Sequence, residues 1–244
     1  MKVVVIIPAA GLGTRMTSAP GAKAKHPGPS KQFTELAGVP ILIHTLRKFA
    51  ASPRVDEIVV ALRKNEIEGF RVRLKKEEQD VLRKSLQIVE GGEHRQHSVA
   101  NALAAISAAP TDVVLVHDAV RPFVTEEIIQ DVIRAAEKYG AAIAGLPAVD
   151  TVKQVERTSE GALITATLPR ERVVLAQTPQ GFRYEVIKAA FDAAAADGFV
   201  GTDEASLVER GGHPVAVVMG SPRNIKITTP ADMQLAEFYW KASA

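Results

Sequence analysis

The chain contains no cysteine, which excludes disulfides and thiolate zinc sites and fits a reducing compartment. Charge of one sign is also scarce: 30 Lys and Arg against 28 Asp and Glu leave a formal net charge of +2 over 244 residues. That is too little to point to nucleic acid as a polyanionic partner, although a sequence pI near 8.8 suits small phosphorylated ligands. No apolar run approaches the roughly eighteen residues of a membrane span, and the signal-like start (Lys2, then apolar residues) is broken early by Pro8. Internal repeats and low-complexity segments are absent too, so a cytoplasmic protein with neither membrane nor nucleic acid as partner is expected. The 46% apolar and 24% charged composition is that of an ordinary globular protein, with length for one large α/β domain or two small ones.

The most informative stretch is VVVIIPAAGLGTR, residues 3–15. Its β-branched run reads as a strand buried on both faces, as in a parallel sheet covered by helices. The turn that follows lies where open α/β sheets bind ligands. Gly11 and Gly13 let the backbone approach a phosphate, and Arg15 brings a fixed positive charge suited to bidentate contact. The dinucleotide fingerprint fails here because position 16 is Met, and the G-K-S/T ending of the P-loop is missing. A nucleotide site of another design, or a plain strand-to-helix turn with a surface arginine, remains.

Apolar runs at 3–7, 55–62, 113–117, 141–146 and 214–219 predict strands. Amphipathic stretches near 40–51, 98–109, 126–138, 183–196 and 203–210 predict helices between them. The alternation predicts a doubly wound, mostly parallel sheet. Thr125 and Thr202, each before two acidic residues, are candidate N-caps. The charged stretch 63–86 reads as a solvated helical face. Between 148 and 172 the rhythm breaks: Thr151–Val155 and Leu163–Leu168 flank a polar turn at 159–161, which predicts a projecting hairpin. A hairpin with so little core needs a partner surface, so a homodimer is expected.

VLVHDAVRP, residues 114–122, ends a strand on Asp118 at the same sheet edge as the glycine turn. There a carboxylate could hold a magnesium ion bound to phosphates, where an isolated Asp would read as a cap or turn former. GGEHRQHSVANAL, residues 91–103, is a glycine pair, a polar turn and a helix that Ser98 helps to start; it can offer polar groups to a base edge. His94 and His97 have a zinc-like spacing but no evident third ligand, and His44 and His213 read as structural or exposed. Lys226 falls in a short β-like run before Pro230, where an edge-strand role is the alternative. TPQGF at 178–182 and GTDEAS at 201–206 bring hydroxyls just before helices, as caps or as anion contacts.

Taken in order, AAGLGTRM at 9–16, SKQF at 30–33, GGEHRQHSV at 91–99, HDAVRP at 117–122, DTVK at 150–153, TPQ at 178–180, TDEAS at 202–206 and NIKIT at 224–228 resemble the 2-C-methyl-D-erythritol 4-phosphate cytidylyltransferases of isoprenoid biosynthesis. The resemblance implies a Rossmann-like nucleotidyltransferase domain over 1–244, with 148–172 as a dimerisation arm. It implies transfer of CMP from CTP to methylerythritol phosphate, with magnesium, releasing pyrophosphate. It assigns Ala9, Ala10, Gly11 and Gly13 to the triphosphate loop, and Arg15 and Lys31 to charge at the α-phosphate. Gly92, Glu93 and Ser98 fall to cytosine, Ala119 to the ribose side, Asp118 to magnesium, and Lys226 to bridging the reacting phosphates. Arg121, Thr151, Arg170, Thr178 and Thr202 match groups that hold the acceptor, with Thr151 and Arg170 on the arm serving the neighbouring subunit's site.

That chemistry needs no Ser-His-Asp or Cys-His set, and none is present in the motifs. The nucleophile is a phosphate oxygen, largely dianionic near neutrality because its second pKa is about 6. The obstacle is repulsion between anions, which Arg15, Lys31, Lys226 and magnesium offset. MTSAPGAKAKHPGPS, residues 16–30, is longer than the family pattern; it is expected to close as a lid, and Lys23 or Lys25 compete with Lys31 for the catalytic place. Two other functions fit less well: a cytidylyltransferase for a pentitol phosphate such as ribitol 5-phosphate, and a nucleotide-binding protein that kept the fold without the chemistry.

Overall fold

Val3–Ile7, five β-branched residues in succession, are all buried, and the strand they form can be satisfied only between two other strands and beneath two layers of helices. The computed structural model describes residues 1–11, 30–76 and 84–242. Gly13, Arg15, Lys23, Lys25 and the lid expected over 16–30 therefore lie outside the described residues, apart from Ser30.

In chain order the strands are β1 (Val3–Pro8), β2 (Glu35–Leu36), β3 (Val39–Pro40), β4 (Glu57–Leu62), β5 (Ser85–Glu90), β6 (Val113–Val116), β7 (Ala141–Pro147), β8 (Val152–Thr158), β9 (Gly161–Leu168), β10 (Val174–Arg183) and β11 (Ala216–Met219). The helices are α1 (Ile41–Ala51), α2 (Lys64–Lys76), α3 (Arg95–Ala105), α4 (Glu126–Tyr139), α5 (Tyr184–Asp197), α6 (Glu204–Arg210) and α7 (Pro230–Lys241). Seven strands form one sheet in the order β11-β7-β10-β6-β1-β4-β5. All neighbours are parallel except β10, which runs antiparallel between β6 and β7.

Alternation along β1 assigns the two faces. Val3, Val5 and Ile7 pack with residues of α1, α2 and α4, whereas Val4 and Ile6 pack with α3, α5 and α6. Each such fully buried Val or Ile contributes about 1.5–3 kcal/mol through burial alone, so the sheet has a strong reason to keep its register. Thr125 caps α4 by accepting from the Ile128 N–H, and Gly140 ends that helix in the left-handed region at φ 87°. No helix among the described residues is long and apolar enough to cross a membrane.

The sequence expectations need four corrections. The TPQGF hydroxyl, Thr178, does not cap a helix: the segment belongs to β10, whose apolar pattern is interrupted by buried Gln177, Thr178 and Gln180 and by a register shift between Ala176 and Gln180. The cap of α6 is Asp203, one residue beyond Thr202, with Ser206 completing a capping box. The NIKIT segment pairs as no strand; Ile227 donates a single backbone bond to Val120, so Lys226 is not an edge-strand residue. Among the described residues, the stretch 63–86 is helical over α2, and its last two residues open edge strand β5, whose half-exposed SLQIVE pattern hid it. Beyond those points the hairpin is present as β8 and β9, paired from Val152↔Leu168 to Thr158↔Gly161 and exposed nearly throughout.

Directly after β6 comes His117, which is fully buried. Its Nε2 donates to the Arg121 carbonyl at 3.1 Å, its ring lies edge-on to Phe49, and its Nδ1 has no partner among the described residues. Burial, helped by the charges of Arg121 and Arg95, lowers its pKa to about 4 against the pull of that hydrogen bond and of Asp118. The folded protein thus keeps this ring neutral where an unfolded chain, titrating near 6.5, takes up a proton. Stability present above about pH 6.5 is therefore lost as pH falls toward 4, by up to about 1.4 kcal/mol per pH unit. In urea unfolding at pH 7 and pH 5, His117→Gln, which keeps a donor for Arg121, is expected to lose less stability on acidification than the unsubstituted chain; equal losses would show that His117 contributes nothing to the pH dependence.

Candidate active site

Parallel neighbours end on the same rim, so the sheet brings together segments that are far apart in sequence. Ala9–Gly11 follow β1, Gly91 and Gly92 follow β5, and Asp118 follows β6 by two residues. The glycine pair is a packing requirement: a Cβ on Gly91 would sit 2.5 Å from the Ala10 Cβ, and one on Gly92 would sit 2.3 Å from the His97 Cβ. Ser98 does not start α3, which begins at Arg95. From the first turn its Oγ accepts the Gly92 N–H at 3.1 Å and donates to the His94 carbonyl, fixing the turn.

Two clefts open on this rim. The first, about 190 Å³, is lined by Ala9, Ala10, Gly11, Lys31, Gly92, Glu93, Ser98 and Ala119, together with Arg95, Asp118 and Lys226. The second, about 230 Å³, is lined by Arg121, Gln177, Thr178, Gln180, Thr202 and Asp203, and again by Arg95, Asp118 and Lys226. Those three shared residues form the wall between the clefts. A larger cavity of about 710 Å³ between α5 and α6 is lined largely by alanines, valines and Leu207, and it shares no residue with either cleft.

The wall is a charge cluster centred on one carboxylate. Asp118 Oδ2 lies 3.0 Å from Lys226 Nζ and 3.1 Å from Arg121 Nε, and Oδ1 lies 3.4 Å from Arg95 Nε. Burial by itself raises the Asp118 pKa, but Arg95, Lys226 and Arg121 overcome it and hold the carboxyl well below the usual carboxylate range. Arg95 is shared in turn with buried Glu204, at 2.6 Å. Burial pushes Glu204 above its ordinary value while Arg95 pulls it down. Arg95 is raised, because its two acidic neighbours outweigh the effect of burial.

Polar locks fix the loop that carries Lys226. The Asn224 carbonyl accepts from Arg121 Nη1 at 2.7 Å, and the Asn224 amide donates to the Thr178 carbonyl at 2.9 Å. Thr178 Oγ1 receives the Asp118 N–H at 3.0 Å, and Gln177 spans to Ser221. Gln180 donates to Asp203 and accepts the Ala205 N–H, tying β10 to the start of α6. The polar interruptions of β10 are thus parts of the site.

Most sequence-predicted residues meet here, in one cleft or the other. Thr151 and Arg170 do not: they sit at the base of the exposed hairpin, where Arg170 Nη1 donates to the Val149 carbonyl at 2.7 Å. His94 and His97 have ring centroids 5.4 Å apart, and among the described residues no three His, Cys, Asp or Glu side chains form a metal-binding group. Sequence reading missed Arg95 and Glu204, although both lie inside motifs it singled out. Each looks like an ordinary charged residue in a helix's first turn, and nothing in a linear reading pairs positions 109 residues apart.

The sequence model of one family, 2-C-methyl-D-erythritol 4-phosphate cytidylyltransferase, matches residues 3–242. Curated relatives bearing that name include one from Acidobacterium capsulatum, 59% identical over 98% of this chain and 97% of its own length. Another, from Solibacter usitatus, is 52% identical over 100% and 98%. The crystal structure of the Francisella tularensis 2-C-methyl-D-erythritol 4-phosphate cytidylyltransferase superposes with a TM-score of 0.78 at 36% identity, covering 98% of this chain and 99% of that one. A 4-diphosphocytidyl-2C-methyl-D-erythritol synthase from Anaerococcus prevotii gives 0.80 at 31%, covering 98% and 96%. With a match over nearly its whole length, a shared fold and a charge cluster suited to joining two anions, this chain belongs to the 2-C-methyl-D-erythritol 4-phosphate cytidylyltransferase family.

Proposed function

We propose that the first cleft binds CTP, that the second binds 2-C-methyl-D-erythritol 4-phosphate, and that CMP is transferred across the wall they share. The observation that carries this reading is that wall: Arg95, Asp118 and Lys226 border both clefts. An oxygen of the acceptor phosphate attacks the α-phosphorus of CTP, the bond from that phosphorus to the bridging oxygen of the β-phosphate breaks, and pyrophosphate leaves. No proton need be removed from the nucleophile. The protein's work is to hold two anions in line and to neutralise the charge that gathers between them.

Lys226 faces both clefts and is the group to bridge the reacting phosphates, with Lys31 in the first cleft and Arg15 completing the positive field. Ala9, Ala10, Gly11 and Gly13 receive the triphosphate; Gly92, Glu93 and Ser98 receive the base; Ala119 borders the ribose. Arg121, Thr178 and Thr202 hold the acceptor. Asp118, kept ionised, is a hard oxygen donor, and a magnesium ion characteristically takes one or two carboxylates and fills its shell with phosphate oxygens and water. When bound, that ion supplies charge neutralisation on the phosphates.

The arm is the dimerisation element in this reading. Val155, Leu163 and Ile164 are 48%, 66% and 64% exposed on a two-stranded hairpin, more apolar surface than such a hairpin keeps in water without a partner. Thr151 and Arg170, which line neither cleft of their own chain, then reach the acceptor cleft of the other protomer.

Pyrophosphate release with CTP is expected with 2-C-methyl-D-erythritol 4-phosphate and not with ribitol 5-phosphate; the reverse preference would overturn the acceptor assignment. Lys226→Ala should lower kcat about a hundredfold or more, the scale of losing one preorganised charge-stabilising donor, and near-normal turnover would remove Lys226 from the chemistry. Arg170→Ala and Lys226→Ala, each nearly inactive alone, should on mixing recover about a quarter of normal activity, since half the dimers are mixed and one site in each is intact. A mixture no more active than its parts would refute a site completed by the partner's arm.

A further inference from the structure

Arg63 stands between β4 and α2 and lines neither cleft. Its Nε donates to the Ala10 carbonyl at 2.8 Å, while its Nη2 is buried without a partner among the described residues. From another element, Gln32 Nε2 donates to the preceding carbonyl, that of Ala9, at 2.6 Å. Two successive carbonyls of the loop after β1 are therefore held by side-chain donors. Peptides whose carbonyls are engaged on one side present their N–H groups on the other, the arrangement that receives anions. One helical turn beyond Arg63, Glu66 Oε1 accepts from Ser30 Oγ at 2.5 Å, beside Lys31, and its Oε2 too is buried without a partner among the described residues. Arg63 and the first turn of α2 thus hold the edge of the first cleft at Ala10 and at Ser30, the residue before Lys31.

We infer that Arg63 and Glu66 are positioning residues for the nucleotide's phosphates: Arg63 orients the Ala10–Gly11 peptides through the Ala10 carbonyl, and Glu66 sets Lys31 through Ser30. Arg63 and Glu66 are half-buried, and each keeps one polar atom buried without a partner among the described residues, a stability cost that a purely structural contact would not require. Both act on the CTP cleft and neither reaches the acceptor cleft, so the inference rests on the functional reading above and predicts an effect on one substrate alone.

Steady-state pyrophosphate release, varying CTP and the acceptor phosphate separately, tests it. Arg63→Ala and Glu66→Ala should each raise KM for CTP about tenfold, the effect of losing one hydrogen bond to a charged group. KM for the acceptor should stay within about twofold, because no contact to that cleft is removed. Arg63→Lys, which keeps a charged donor, should recover part of the loss. If Arg63→Ala fails to fold, Arg63→Gln and Arg63→Lys carry the same comparison. Unchanged KM for CTP, or equal rises in both KM values alongside a lower Tm, would overturn the inference. An unsubstituted protein that does not turn over CTP would instead overturn the functional reading.

Discussion

The Asp118 carboxylate, 6% exposed, is the charge around which the rim is organised. Taking a carboxylate out of water costs several kcal/mol unless cations and hydrogen bonds replace its hydration. Here Arg95, Arg121 and Lys226 all supply that replacement, and they come from the start of α3, the turn after β6 and the loop before α7. The need to satisfy one buried anion thus draws three separate parts of the chain to a single point. The same cluster leaves cationic groups facing both clefts, where incoming phosphates can compete with Asp118 for them. A site designed to bring anions together must store positive charge stably while empty, and an internal carboxylate does this.

Around that cluster the polar interior is arranged to limit motion. Gln177, Thr178, Gln180 and Asn224 are all buried, and their hydrogen bonds connect β10 to the Lys226 loop on one side and to α6 on the other. Buried polar groups that find hydrogen-bond partners rigidify a fold, and each of these side chains has at least one, although Asn224 Oδ1 has none among the described residues. Rigidity matters for a reaction whose catalysis is almost wholly positioning and electrostatics. His117 contributes from below the rim, holding the Arg121 carbonyl while the Arg121 side chain holds Asp118 and Asn224.

How far the sequence revealed this depended on the physics of each element. β1, β4, β6 and β7 were legible because burial on both faces demands continuous apolar runs, and α4 because Thr125, its acidic first turn and Gly140 mark both ends. β10 was not legible: its middle is occupied by polar residues that the site uses, so its composition reads as a loop. Lys226 was singled out by its motif and lines both clefts, while its local structure was misjudged, since the run that looked like a strand is held by side chains and one backbone bond instead of a ladder. Arg95 and Glu204 show the general limit. Their significance lies in a pairing across the fold that neither residue's local pattern encodes.

Transfer across the wall formed by Arg95, Asp118 and Lys226 requires the nucleotide's reacting phosphate to lie where the two clefts meet. A crystal structure of the protein with CTP and magnesium tests it most directly. The α-phosphate is expected at the junction of the two clefts, within hydrogen-bond distance of Lys226 Nζ and open toward Arg121 and Thr178. A nucleotide bound with its α-phosphate away from that junction, and Lys226 still paired only with Asp118, would contradict it.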